Sequence, residues 1–186
     1  MFYFPVSTVA VLVTIGLLAS LAIVARLVLL YRRGNQGGIR RMLAIFIPLW
    51  ALGLAVAVLP ASPQPDPSIP SGTFNWVPFL AHRERDLGIE LVANLGLFVP
   101  LGLMLAFYWR THAVAKTTLV ALAASCSIEV TQLLMMNNRA ADITDIITNT
   151  SGAFLAACLG WILCRVFPPV PEQAPLEAAA SGLSWP

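Results

Sequence analysis

Long apolar stretches alternate along the chain with short polar or proline-rich breaks. Nearly unbroken apolar sequence occupies residues 6–30, 43–59, 87–109, 117–136 and 143–167. A helix needs about 20 apolar residues to cross the hydrocarbon core of a bilayer, and the five runs are of that order. The pattern predicts an all-α fold: a polytopic membrane helical bundle of about five transmembrane helices. In the first run the only charge is Arg26, which can snorkel from the end of a helix. That run is longer than the apolar part of a signal peptide and no Lys or Arg precedes it, so it reads as a span. Pro48 and Pro100 fall inside two runs, and Pro100 removes the backbone bond to the Gly96 carbonyl, which predicts a kink.

The breaks divide the chain. Residues 1–42 read as the first transmembrane helix and a basic cytoplasmic loop, and 43–74 as the second helix and an outer loop. Pro60, Pro63, Pro65, Pro67, Pro70 and Pro78 exclude regular helix from this loop. Residues 75–167 form a three-helix core, and 168–186 a Pro- and Ala-rich tail expected to be disordered. Alternating the spans puts Arg26, Arg32, Arg33, Arg40, Arg41, Arg110, Lys116 and Arg165 on one side, against Arg83, Arg85 and Arg139 on the other. The positive-inside rule then predicts an N-terminus outside and a C-terminus inside.

Composition agrees with a lipid environment and narrows the partners. The chain is 58% hydrophobic and 11% charged, with a mean hydropathy of +0.80. That points to a multi-pass protein of the cell membrane whose first partner is the lipid bilayer. A net charge of +2 is too mild to argue for nucleic acid as a partner. Cys126, Cys158 and Cys164 lie in apolar sequence without zinc-ligand spacing and read as small buried side chains, and Cys158 and Cys164 are not expected to pair.

The polar residues inside the spans gather at one end. Glu90 and Asn94 fall in the outer half of the third span, Glu129 and Gln132 in that of the fourth, and Asp142, Asp145 and Asn149 at the start of the fifth. Their spacings are i,i+4, then i,i+3, then i,i+3,i+7, so each set shares a helix face and three polar faces can meet. Arg139 lies in the last connection. A carboxylate at a helix centre costs roughly 2.5–3.5 kcal/mol on insertion scales, and such residues usually face a bundle interior or a wet cavity. A structural reading stands beside this one, in which the same residues only fasten helices together. Asp142 is in addition well placed as a helix N-cap. Gly152, Ala156 and Gly160 recur at i, i+4, i+8 as a small-residue stripe for close helix packing. His82 is read as a solvated loop residue, and Ser125 and Ser127 as bonding to their own backbone.

Four segments resemble the VanZ-like family of bacterial membrane proteins. They are Asn75-Trp-Val-Pro78-Phe79; Asn94-Leu-Gly-Leu-Phe98-Val-Pro100-Leu-Gly102; Glu129-Val-Thr-Gln132; and the run from Arg139-Ala-Ala-Asp142 through Asp145 and Asn149 to Gly152. The resemblance runs from about Asn75 to Trp161, leaving the first two helices and the tail outside. The resemblance implies a polytopic protein of the bacterial envelope, in a family named for a member associated with resistance to the glycopeptide teicoplanin. It supplies no reaction.

The expectation drawn from these residues is an outer-facing polar cavity that binds a lipid headgroup or a cell-wall precursor. Glu90, Asn94, Glu129, Gln132, Arg139, Asp142, Asp145 and Asn149 would line it. Arg139, helped by Arg83 or Arg85, would meet an anionic group, and the amides would orient the ligand. The carboxylates could hold a divalent cation or carry a proton. Three alternatives stay open: an enzyme of lipid-linked substrates using Glu129, Asp142 or Asp145 as base, a small transporter, and a purely structural bundle. Substrate, metal and oligomeric state are not readable from the sequence.

Overall fold

The computed structural model describes residues 21–58, 72–79, 88–109, 111–135 and 140–170, without the side chains of 57, 58 and 88–90. The proline-rich stretch 60–71, the cluster containing His82, Arg83 and Arg85, Arg110, Arg139 and the tail from 171 lie outside the described residues, as does the first part of the first run. Among the described residues the protein is mostly helical, with five helices. They are α1 (21–32), α2 (Gln36–Val58), α3 (Gly88–Tyr108), α4 (Ala113–Met135) and α5 (Ile143–Val166). Two short strands, β1 (Phe74–Asn75) and β2 (Ala141–Asp142), complete the order. The last four helices are each long and apolar enough to cross a membrane.

The connection between α1 and α2 is tighter than hydropathy suggests. Gly34 takes a φ of 64°, and its N–H donates to the Tyr31 carbonyl at 2.9 Å while Asn35 N donates to Leu30 O at 2.9 Å. This pair of bonds closes a helix on a left-handed residue, where glycine has no Cβ to clash. Asn35 then caps the next helix, its side-chain oxygen accepting from Gly38 N at 2.7 Å. Residues 36–42, expected as basic loop, are therefore the first turns of α2. The charges of Arg40 and Arg41 conceal this helix start from a reading based on apolar runs.

The outer surface of the bundle is apolar, and α4 turns its small and polar residues inward. Along α4 the buried positions are Ala113, Thr117, Ala121, Ser125, Glu129 and Gln132, whereas Leu119, Val130 and Leu134 are exposed. Exposed Ile45, Leu49, Leu52 and Val56 form one stripe of α2. A water-soluble helix would reverse this arrangement, but lipid tails solvate leucine as well as another helix does.

Helix α5 lies between α3 and α4 and has its most extensive contact with α3. Small residues permit it. A Cβ on Gly152 would collide with the Leu95 carbonyl oxygen, and one on Gly102 would come within 2.5 Å of the Ala153 carbonyl oxygen. A Cβ on Gly160 would lie 2.7 Å from that of Ala106. The stripe Gly152, Ala156, Gly160 thus faces α3, with Gly102 as its counterpart. Helices α1 and α2 cover the other flank of α3, where Leu27, Leu30, Ile39 and Leu43 join Phe98, Leu101, Met104 and Phe107 in a buried cluster. Trp50 packs edge-on against Phe98, with ring centroids 5.1 Å apart. Its indole N–H donates to the Leu97 carbonyl at 2.9 Å, in the turn that precedes Pro100.

The two ends of the bundle differ. At one end α1 finishes, α2 begins and α5 finishes, joined by a bond from Val170 N to Arg32 O at 2.8 Å. Arg32, Arg33, Arg40, Arg41 and Arg165 belong to this end. At the other end, α3 and α5 begin and α4 finishes, and there β1 and β2 pair in parallel, Phe74 opposite Ala141 and Asn75 opposite Asp142.

Candidate functional site: a polar cluster at one end of the bundle

Asp142 is the hub of this end. Its backbone is extended, with φ −130° and ψ 128°, and it caps α5 by accepting from Thr144 N at Oδ1, 2.7 Å away. The capping role expected of it is therefore present. Its other oxygen, Oδ2, accepts from the Asn75 amide at 2.9 Å. Its own N–H donates to Glu129 Oε2 at 2.8 Å. One residue thereby links the 73–79 segment, the C-terminal part of α4 and the start of α5.

The 73–79 segment is shaped to reach this hub. Ala141 N donates to Thr73 O at 3.0 Å, closing the parallel pairing. Asn75 accepts from Val77 N at 3.1 Å, an Asx turn that reverses the chain before Pro78. Phe79, at a φ of 60°, donates its N–H to Thr144 Oγ1 at 2.9 Å. Two side chains at the start of α5 thus hold a loop more than 60 residues away in sequence.

Further along α5 the polar residues diverge. Asp145 Oδ1 accepts from the Asn94 amide of α3 at 2.6 Å. Asn149 instead donates to Ser125 Oγ of α4 at 3.1 Å, while its Oδ1 is buried without a partner among the described residues. The i,i+3,i+7 spacing of Asp142, Asp145 and Asn149 therefore does not make a single face toward one partner. Asp142 stands outside the helix as its cap, and α5 is sandwiched, so the next two residues turn to opposite neighbours.

Glu129 and Gln132 are both buried, at 2% and 5% exposure, whereas Asp142 and Asp145 are partly open. Glu90 lies in the first turn of α3, and its side chain is outside the described set. Asn94, Glu129, Asp142, Asp145 and Asn149 are accordingly joined in pairs or through the hub. Asn75 and Thr144 belong to the hub and Ser125 to the Asn149 pair, and none of the three was singled out as a site residue from the sequence. Asn75 had no signal of its own beyond its place in the first matched segment, because an Asn beside a proline-rich loop suggests only a turn.

The chemistry at this end is rich in acceptors. Three carboxylates, from Glu129, Asp142 and Asp145, face groups that donate N–H bonds. Among the described residues no three side chains of His, Cys, Asp or Glu group closely enough to hold a metal ion. Ser127 donates to the Ala123 carbonyl at 2.8 Å, the backbone bond expected of it, whereas Ser125 accepts from Asn149. Cys126, Cys158 and Cys164 are free thiols, each half-buried.

Comparison with known proteins places this architecture. No curated protein and no solved structure matches the chain. A family model, VanZ/LLP1, matches residues 44–165, from early in α2 to the last turn of α5. The match takes in α2 as well as the polar end and the glycine-mediated packing of α3 on α5. With four span-capable helices and most of its length inside that match, the chain is a multi-pass membrane protein belonging to the VanZ/LLP1 family.

Proposed function

We propose that the protein sits in the bacterial cell membrane with its N-terminus outside and its C-terminus in the cytoplasm, as a bundle of about five spans. On this reading the polar end faces the cell exterior and binds a polar or lipid-linked envelope component, a headgroup or cell-wall precursor. A link to glycopeptide resistance is part of the same proposal. The orientation is supported by the basic end of the bundle, where Arg32, Arg33, Arg40, Arg41 and Arg165 collect. The polar end carries the carboxylates instead.

The binding reading is carried by the burial of Glu129. A carboxylate at 2% exposure in a bundle whose outer surface is apolar is costly to keep. For packing alone, a Gln or Thr could accept the Asp142 N–H. Asp142, whose N–H bonds Glu129, and Asp145, on the α3 side of α5, are partly open, giving a ligand's hydroxyl or ammonium groups acceptors to meet. Arg139, between α4 and β2 in sequence, would supply a guanidinium for an anionic group.

One observation favours a second, structural reading: Asn75, Asn94 and Asn149 each donate to another part of the chain, as fasteners would. Asp145→Asn separates the two. An asparagine there can still pair with the Asn94 amide, so the fold is kept while a charge is lost. Protein purified in mild detergent would be analysed by mass spectrometry for co-purifying envelope lipids. The binding reading expects an enriched lipid in the parent protein that is lost from Asp145→Asn at equal yield. An identical lipid profile in both, or a fall in yield alone, leaves the structural reading standing.

A further inference from the structure

The loop that reaches the polar end carries an apolar surface which the hydrogen-bond network does not use. Trp76 is 75% exposed, Val77 52% and Phe79 39%, in a segment whose backbone is tied down on both sides. Asn75 bonds Asp142, and Phe79 N bonds Thr144, so the four residues 76–79 lie alongside the cap and first turn of α5. The Phe74 ring contacts the Trp76 indole, centroids 4.2 Å apart, which props the indole outward.

The surroundings say what such a surface meets. The lipid-facing side of the bundle continues to this end: Val130, Leu134 and Met135 are exposed near the end of α4, and Ile147 in the second turn of α5. The loop is thus level with the edge of the apolar belt. Indole rings gather at that level because their bodies are apolar while the N–H finds headgroup and carbonyl acceptors. Pro78 has no backbone N–H that would need a partner there.

We propose that the Trp76–Phe79 loop is an interfacial foot, with Trp76 and Phe79 inserted into the headgroup and carbonyl layer of the leaflet at the polar end of the bundle. The partner is the lipid interface itself, and the placement holds whether or not the polar cluster binds a ligand. Because Asn75 and Thr144 connect loop and cluster, the depth of the foot sets the depth of Asp142.

The test reads Trp76 as the difference between the parent protein and Trp76→Phe, both reconstituted at full length in phosphatidylcholine and phosphatidylglycerol vesicles. Phenylalanine keeps a ring against Phe74. Trp76→Tyr provides the same difference if the phenylalanine variant is poorly recovered. Quenchers are lipids brominated near the carbonyl end of their chains, lipids brominated near the methyl end, and aqueous iodide. The expected difference signal is blue-shifted from that of water-exposed indole and quenched most by the shallow bromines. Dominant quenching by iodide would place the loop in water, free for a soluble partner, and overturn the proposal. Dominant quenching by the deep bromines would overturn it as well.

Discussion

Asp142 engages three of its polar atoms with three different segments, so its substitutions are separable by atom. Alanine there removes the cap on Thr144 N, for which about 0.5–2 kcal/mol is typical, and releases the Asn75 amide as well. Asp142→Ala is therefore expected to lower the unfolding temperature in detergent and to open the 72–79 segment to proteolysis. Asp142→Asn keeps an oxygen for the cap but sets an N–H₂ group against the Asn75 amide. It should retain most of the stability and lose the Asn75 attachment while the Phe79–Thr144 bond stays, read as faster cleavage in this segment at near-parental unfolding temperature. At this scale the sequence was informative where a rule is local. An acid just before an apolar run announces a cap, and Asp145 and Glu129 announce themselves by their cost in an apolar helix. The partner of Asp142 was not legible, because nothing in a periodic pattern connects residue 75 with residue 142.

Between elements, the contact of α3 with α5 depends on the absence of side-chain atoms at a few positions. Gly152→Val would drive its first carbon into the Leu95 carbonyl, which is backbone and cannot swing aside. Overpacking of this kind costs about 1–3 kcal/mol or more, and here it separates the two helices most closely joined. The expected result is loss of folded protein on size-exclusion chromatography in detergent. Gly96→Ala is the matched control: a Cβ at Gly96 meets nothing within 4 Å. It should be neutral, or stabilising by up to about 1 kcal/mol, because alanine favours helix over glycine. The small-residue spacing made the α5 side of this interface readable in advance. It did not identify α3 as the partner, since a stripe says what kind of surface it needs and not which helix provides it. The start of α2 was hidden for a related reason: hydropathy finds where a helix is apolar, whereas Asn35 and Gly34 mark where it begins.

For the whole molecule, orientation is the property on which the exterior placement of the polar end depends. A reporter enzyme that works only in the cytoplasm, fused after residue 171, is expected to be active, and one fused within 60–70 to be silent. The reverse result at equal abundance would turn the bundle over and put Glu129, Asp142 and Asp145 on the cytoplasmic side. The helical architecture was legible because a membrane imposes its own length on every crossing. Short β pairing was not, since two residues on each strand leave no alternation to detect. That pairing also has a consequence in time. The strand at residue 74 leaves the ribosome well before the one at residue 141, with α3 and α4 still to be made. The earlier segment must wait for its mate until both helices have been made, so this clasp closes only when α5 begins to emerge.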